Sequence, residues 1–154
     1  MNRAEKAEKL FLAGANCAQA VAGAFADVCG MDEKTLFRLA SGFGAGMGRM
    51  REVCGAVSAM TIVAGFVFAS GDAADKNAKD EQYARVQELA GRFRAETGSI
   101  VCRELLGLEP GKTEGPESSP RTGEYYRKRP CTAVVALAAS ILEKFLEENK
   151  TLKA

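Results

Sequence analysis

The chain of 154 residues has no histidine and no tryptophan, and only four prolines. Without histidine the commonest general base is missing, and with it the usual partner of a nucleophilic serine or cysteine. Mixed cysteine–histidine zinc sites and histidine-ligated haem are excluded as well. An excess of charge is also lacking, since 21 basic and 20 acidic residues leave a net charge of +1. No basic stripe is interleaved with aromatics, so nucleic acid is not expected as a partner. Strand patterning and internal repeats are absent. The opening MNRAEKAEKLFLAGANC lacks the unbroken apolar core of a signal peptide, which gives a cytoplasmic expectation.

What is present is helical periodicity. Helices are expected over 4–12, with Ala7, Leu10 and Phe11 on one face, and over 16–29, with Ala18, Val21, Ala22, Phe25 and Val28 inward. A short helix over 32–41 should turn Leu36 and Leu39 to the core. Segment 77–97 should bury Tyr83, Val86, Leu89, Ala90 and Phe93, and a short helix should follow over 99–106. The last helix, 130–149, should bury Val134, Leu137, Ala138, Ile141, Leu142 and Phe145. Segment 52–70 carries no charge from Val53 onward but barely reaches the ~20 residues a bilayer needs. Its many small residues suit a central bundle helix, so membrane insertion is not expected. Segment 107–130, GLEPGKTEGPESSPRTGEYYRKRP, is the one long loop. The expectation is an all-α single domain, 1–154, of about six to seven helices. Its small-residue faces permit a homo-oligomer without requiring one.

Two motifs resemble nucleotide loops and fail. In SGFGAGMGRMREVCGA, 41–56, a G-x-G-x-x-G fingerprint would need glycine where Met47, Arg49 or Arg51 stands, and no strand precedes it. GLEPGKT has Gly107 and Gly111 one residue too close for a phosphate loop, and a helix precedes it.

The five cysteines carry more information. In a reducing compartment thiols stay free unless they are catalytic or metal-bound. Cys17 follows Asn16, a good N-cap. Cys102 follows Ser99, which can cap a short helix. Cys131 follows Pro130, and proline favours helix starts. Cys54 opens the apolar helix, and only Cys29 sits at a helix end. A helix N-terminus offers free N–H groups and favours an anion, so thiolates there can have pKa values of about 3.5–7.5. Arg51, Arg103 and Arg129 adjoin these cysteines and could add favourable charge. Spacing alone does not say whether the four meet. If they do, their mutual repulsion must be removed by a cation, a cluster or oxidation.

GANCAQAV, GFGAGMGRMREVCGAVSAM, GSIVCRELLG and RPCTAVV together resemble the C-GCAxxG-C-C family of redox-active proteins, from about residue 10 to the end of the last helix. Matched residue by residue, the family's four cysteines are Cys17, Cys54, Cys102 and Cys131. Its C-G-A-x-x-G motif is Cys54, Gly55, Ala56, Val57, Ser58 and then Ala59, where the pattern has glycine. Cys29 has no counterpart.

The leading reading is a redox protein using these four cysteines. They either ligate an iron–sulfur cluster, foremost [2Fe–2S], or cycle between dithiol and disulfide with an unidentified redox partner. Gly44, Gly46, Gly48 and Gly55 are candidates for backbone contact with that centre. Structural Zn²⁺ on the same cysteines, or a helical scaffold whose cysteines only pack and hold no cofactor, are the alternatives. Whether the protein is an enzyme is left open. Tyr125 and Tyr126 either close over a site or pack the loop.

Overall fold

The computed structural model describes residues 1–149. Among these the chain is all helix, with no strand and a single isolated bridge between Val53 and Val101. Helix α1, Arg3–Leu12, begins in a capping box: Glu5 N–H donates to Asn2 Oδ1 at 2.8 Å and Asn2 N–H donates back to Glu5 Oε2. Helix α2, Cys17–Gly23, repeats the device with Asn16 and Gln19. It is the hub of the fold, buried at Ala18, Ala20, Val21, Ala22 and Gly23.

The expected 16–29 helix is two. It breaks at Ala24 and Phe25, and α3, Ala26–Cys29, continues in a new direction until Gly30 at φ 66°. The carbonyl of Ala24 accepts from Arg3 Nη1 at 2.8 Å, and Asp27 pairs with the same guanidinium, so α1 holds the bend in place. Helix α4, Glu33–Ala40, is capped by Asp32. Leu36 is buried as expected, but Leu39 is exposed, because Ala40, four residues after Leu36, takes the inward position.

Helix α5, Gly55–Phe68, runs through the centre, burying Ala56, Val57, Ala59, Met60, Val63 and Ala64. No helix among the described residues is long and apolar enough to cross a membrane. Helix α6, Lys76–Thr97, buries Leu89, Ala90 and Phe93, but Tyr83 is exposed, since its first turns lie outside the core. Helix α7, Cys102–Leu105, is one turn. The long loop carries a short helix of its own, α8, Gly123–Lys128, capped by Thr122. Helix α9, Cys131–Glu148, packs along α1 and closes the bundle over α2, α5 and α6. The nine helices among the described residues thus exceed the expected six to seven by the split of α2 from α3 and the turn inside the loop.

Candidate functional site

The glycine run does not form a right-handed turn. Ala45, Gly46, Met47, Gly48 and Arg49 all have φ between 56° and 69°, a left-handed stretch, and Arg51 follows at 61°. Left-handed backbone costs roughly 1–2 kcal/mol for each non-glycine residue, so Ala45, Met47, Arg49 and Arg51 hold strain that the surrounding structure must enforce. Hydrogen bonds close the loop on itself: Glu52 N–H donates to the Gly46 carbonyl at 2.8 Å and Arg51 N–H to that of Ala45. A short antiparallel ladder then ties it to α7, with Cys54 N–H donating to Ile100 O at 2.8 Å and Cys102 N–H to Glu52 O at 2.6 Å.

These connections bring the four cysteines together. Cys17, Cys102 and Cys131 are the first residues of α2, α7 and α9, and Cys54 is the N-cap of α5. Ser99 is not the cap of α7. Val101 occupies that position, and the Ser99 hydroxyl accepts from Val101 N–H and donates to Glu104. All four thiols line one cavity of about 240 Å³, with Asn16, Ala45, Tyr125 and four arginines, 49, 51, 121 and 129. Cys17 interacts electrostatically with each of the other three. Cys29 lies apart, beside Asp27 and Arg3.

Of the candidate glycines, Gly44, Gly48 and Gly55 line the cavity. Gly46 does not, but backs onto it: a Cβ there would stand 2.7 Å from Cys102 Cβ and from the Arg51 backbone. At Gly44 a Cβ would meet the Asn16 side chain at 2.4 Å. Gly44 and Gly46 are glycine because neighbouring chain already fills the space a side chain needs, whereas Gly48 has room and is set by its φ of 60°.

Backbone amides surround the sulfurs. The backbone amides of Ala45, Ala18 and Gly55 favour charge on Cys17, and those of Ala56 and Val57 favour it on Cys54. The helix-start placement therefore delivers donors as expected, but low thiol pKa values do not follow. Burial outweighs the amides and pushes the thiols of Cys17 and Cys54 up, with the neighbouring cysteines adding to it. Cys131 is pushed up to about 11 by burial, then by Cys17 and Cys102. Left bare, these three are protonated thiols at neutral pH.

The neighbouring arginines divide their roles differently from their order in sequence. Arg51, 3% exposed, precedes Cys54 but donates through Nη1 to Cys102 Sγ at 3.7 Å, while its Nε bonds Glu114. That contact holds the Glu114 carboxyl below its ordinary range. Arg103 turns to the carbonyls of Glu109 and Met50. Arg129 does favour the Cys131 thiolate, and stacks over Tyr125 at 4.7 Å. Sequence reading missed Arg121, which donates to the carbonyls of Phe11 and Ala15 and stacks over Phe11 and Tyr125, pinning the loop across the cavity. Nothing in its local sequence marks it. Of the two tyrosines, Tyr125 lines the cavity, and Tyr126 packs edge-on against Phe11 at 6.0 Å.

The four cysteines do not form a ready cage for a single ion: among the described residues no three cysteine or carboxylate side chains are grouped as a metal ion requires. Fold and site define a small all-α protein in which four helix-opening cysteines share one cavity. The chain belongs to the family described as "Putative redox-active protein (C_GCAxxG_C_C)", which it matches over residues 15–145. No curated protein and no solved structure matches it.

Proposed function

We propose that this protein carries electrons, with Cys17, Cys54, Cys102 and Cys131 holding an iron–sulfur cluster. The observation that supports this reading is that four thiols from four separate helix starts line one cavity. The donor set fits: four sulfurs, amides directed at two of them, and a glycine at 55 where any side chain would collide with Cys17. A cluster bound there supplies one-electron chemistry, at a potential set by hydrogen bonds to its sulfurs and by burial. The chain's own groups do the tuning. The amides of residues 18, 45 and 55 favour charge on Cys17, Arg51 donates to Cys102, and the loop held by Arg121 lies across the cavity. A cluster is larger than one ion and holds its ligand sulfurs further apart, whereas tetrahedral zinc needs all four sulfurs about 2.3 Å from one point. Among the described residues no three such ligands are grouped that closely, which weighs against structural zinc.

The shared cavity supports one second reading, a dithiol–disulfide centre. Here Cys17, which interacts with all three others, joins one of them in a disulfide. Two thiols lose two protons and two electrons to an oxidised redox partner as the S–S bond forms.

Anaerobic purification with iron, acid-labile sulfide and zinc analysis tests both. Iron and sulfide in equal amounts, with visible absorption that bleaches on reduction and is lost in Cys17→Ser and Cys131→Ser but kept in Cys29→Ser, is the expected result. A colourless, iron-free protein that loses two titratable thiols on mild oxidation supports the second reading. Five thiols that titrate unchanged after oxidation, in iron-free protein, sink both.

A further inference from the structure

We propose that the cavity lined by the cysteines is also a binding site for a small oxyanion, held on its arginine side by Arg49, Arg51 and Arg129. The inference stands apart from the redox reading, because it concerns the charge of the cavity wall rather than the chemistry of the thiols. Four arginines line the cavity, and no aspartate or glutamate is among its described lining residues. The carboxylate that answers them, Glu114, lies outside the lining and is shared. It bonds Arg51 Nε and stands 3.7 Å from Arg49 Nη2. One carboxylate cannot offset this much positive charge.

The arginines differ in what they already do. Arg121 is committed to two backbone carbonyls and to the faces of Phe11 and Tyr125, which leaves it a structural part. Arg49 and Arg129, the latter also stacked over Tyr125, converge on a single neutral acceptor, the Ser119 hydroxyl, at 3.3 and 3.5 Å. Two cations drawn to one hydroxyl repel each other, and neither distance is that of a strong hydrogen bond. Arg49 Nε, moreover, is buried and has no hydrogen-bond partner at all. A buried donor left unmade costs about 1–3 kcal/mol, so its position asks for an acceptor that arrives from outside the chain. Guanidinium groups present their donors in a planar fork that matches the oxygens of carboxylate, sulfate or phosphate. The hydroxyls of Ser118 and Ser119, both in the lining, can complete the shell of such a ligand.

Titration calorimetry with inorganic sulfate on the protein as purified, at constant ionic strength made up with chloride, tests the proposal. Saturable binding is expected, weakened about tenfold or more in Arg49→Gln and in Arg129→Gln, as loss of a charge-assisted pair implies. It should be unchanged in Arg38→Gln, an exposed arginine that does not line the cavity. Circular dichroism melts confirm that each variant is folded. If Arg49→Gln does not fold, Arg129→Gln alone decides. A parallel acetate titration tells a carboxylate site from one that needs a tetrahedral dianion. Binding of neither anion beyond chloride, or equal weakening in Arg38→Gln, overturns the proposal. Iron and sulfide content plays no part in this readout, so its failure and the failure of the redox reading are separable.

Discussion

A Cβ placed on Gly55 would stand 2.5 Å from the sulfur of Cys17 and 2.8 Å from the Phe43 carbonyl oxygen. The start of α5 and the start of α2 thus meet so closely that one residue's lack of a side chain fixes where the other's sulfur sits.

Gly55→Ala should therefore destabilise the protein by about 1–3 kcal/mol, because backbone as well as sulfur must move. Gly65→Ala, on the same helix with nothing within 4 Å of the added methyl, should stabilise it by about 0.5–1 kcal/mol through helix propensity. Denaturant unfolding of the two variants checks the contrast. Equal effects would mean that the contact with Cys17 is not tight.

The left-handed stretch offers a second contrast. Met47 is exposed at φ 69°, so Met47→Gly relieves about 1–2 kcal/mol of backbone strain against an unfolded-state cost of about 0.5–1. A small net gain is expected, about 0.5–1 kcal/mol. Gly46→Ala meets both the strain and the Arg51 backbone at 2.7 Å and should lose stability. Thermal midpoints report both signs.

Arg51→Lys removes the fork that serves Glu114 and Cys102 together. Loss of that guanidinium donor at the sulfur disfavours the more negative, reduced centre, so the midpoint potential should fall. The sign is the same for a disulfide, since a stabilised thiolate favours reduction. A potentiometric titration that finds no change would remove Arg51 from the tuning of the centre.

Stability of the reduced, metal-free protein should decline at alkaline pH. The Cys131 thiol rises from an ordinary value near 9.0 to about 11 on folding, and Cys17 and Cys54 also rise. A group whose pKa is raised in the folded state contributes stability that is complete below pH 9 and lost as pH climbs through 11. Melts between pH 7 and 11 should show falling midpoints, and Cys131→Ser should flatten the slope. Because Cys29 also rises to about 11, Cys29→Ser removes a second, separate part of it.

Much of this fold was legible in the residues. Asn16 caps the helix it precedes, Gly30 and Gly98 end theirs in left-handed backbone, and the stripes of α1 and α9 face the core. Those signals are local, acting over one helical turn. Reading failed where a distant partner decides. Arg3 holds the bend after α2, and Leu39 and Tyr83 carry apolar side chains at positions where no neighbour arrives to cover them.

The sequence by itself determined that Cys17 and Cys131 open helices, because the Asn16 cap and Pro130 act on the residue that follows them. Cys54 and Cys102 reach helix starts without such a cap. Only the tertiary structure decided that those openings share one cavity, that burial rather than the helix ends governs the thiols, and that Arg51 serves Cys102 instead of its neighbour Cys54. The reason is range. Capping is a contact of adjacent residues, whereas desolvation and charge pairing depend on every chain segment that packs around a group, however far away in sequence.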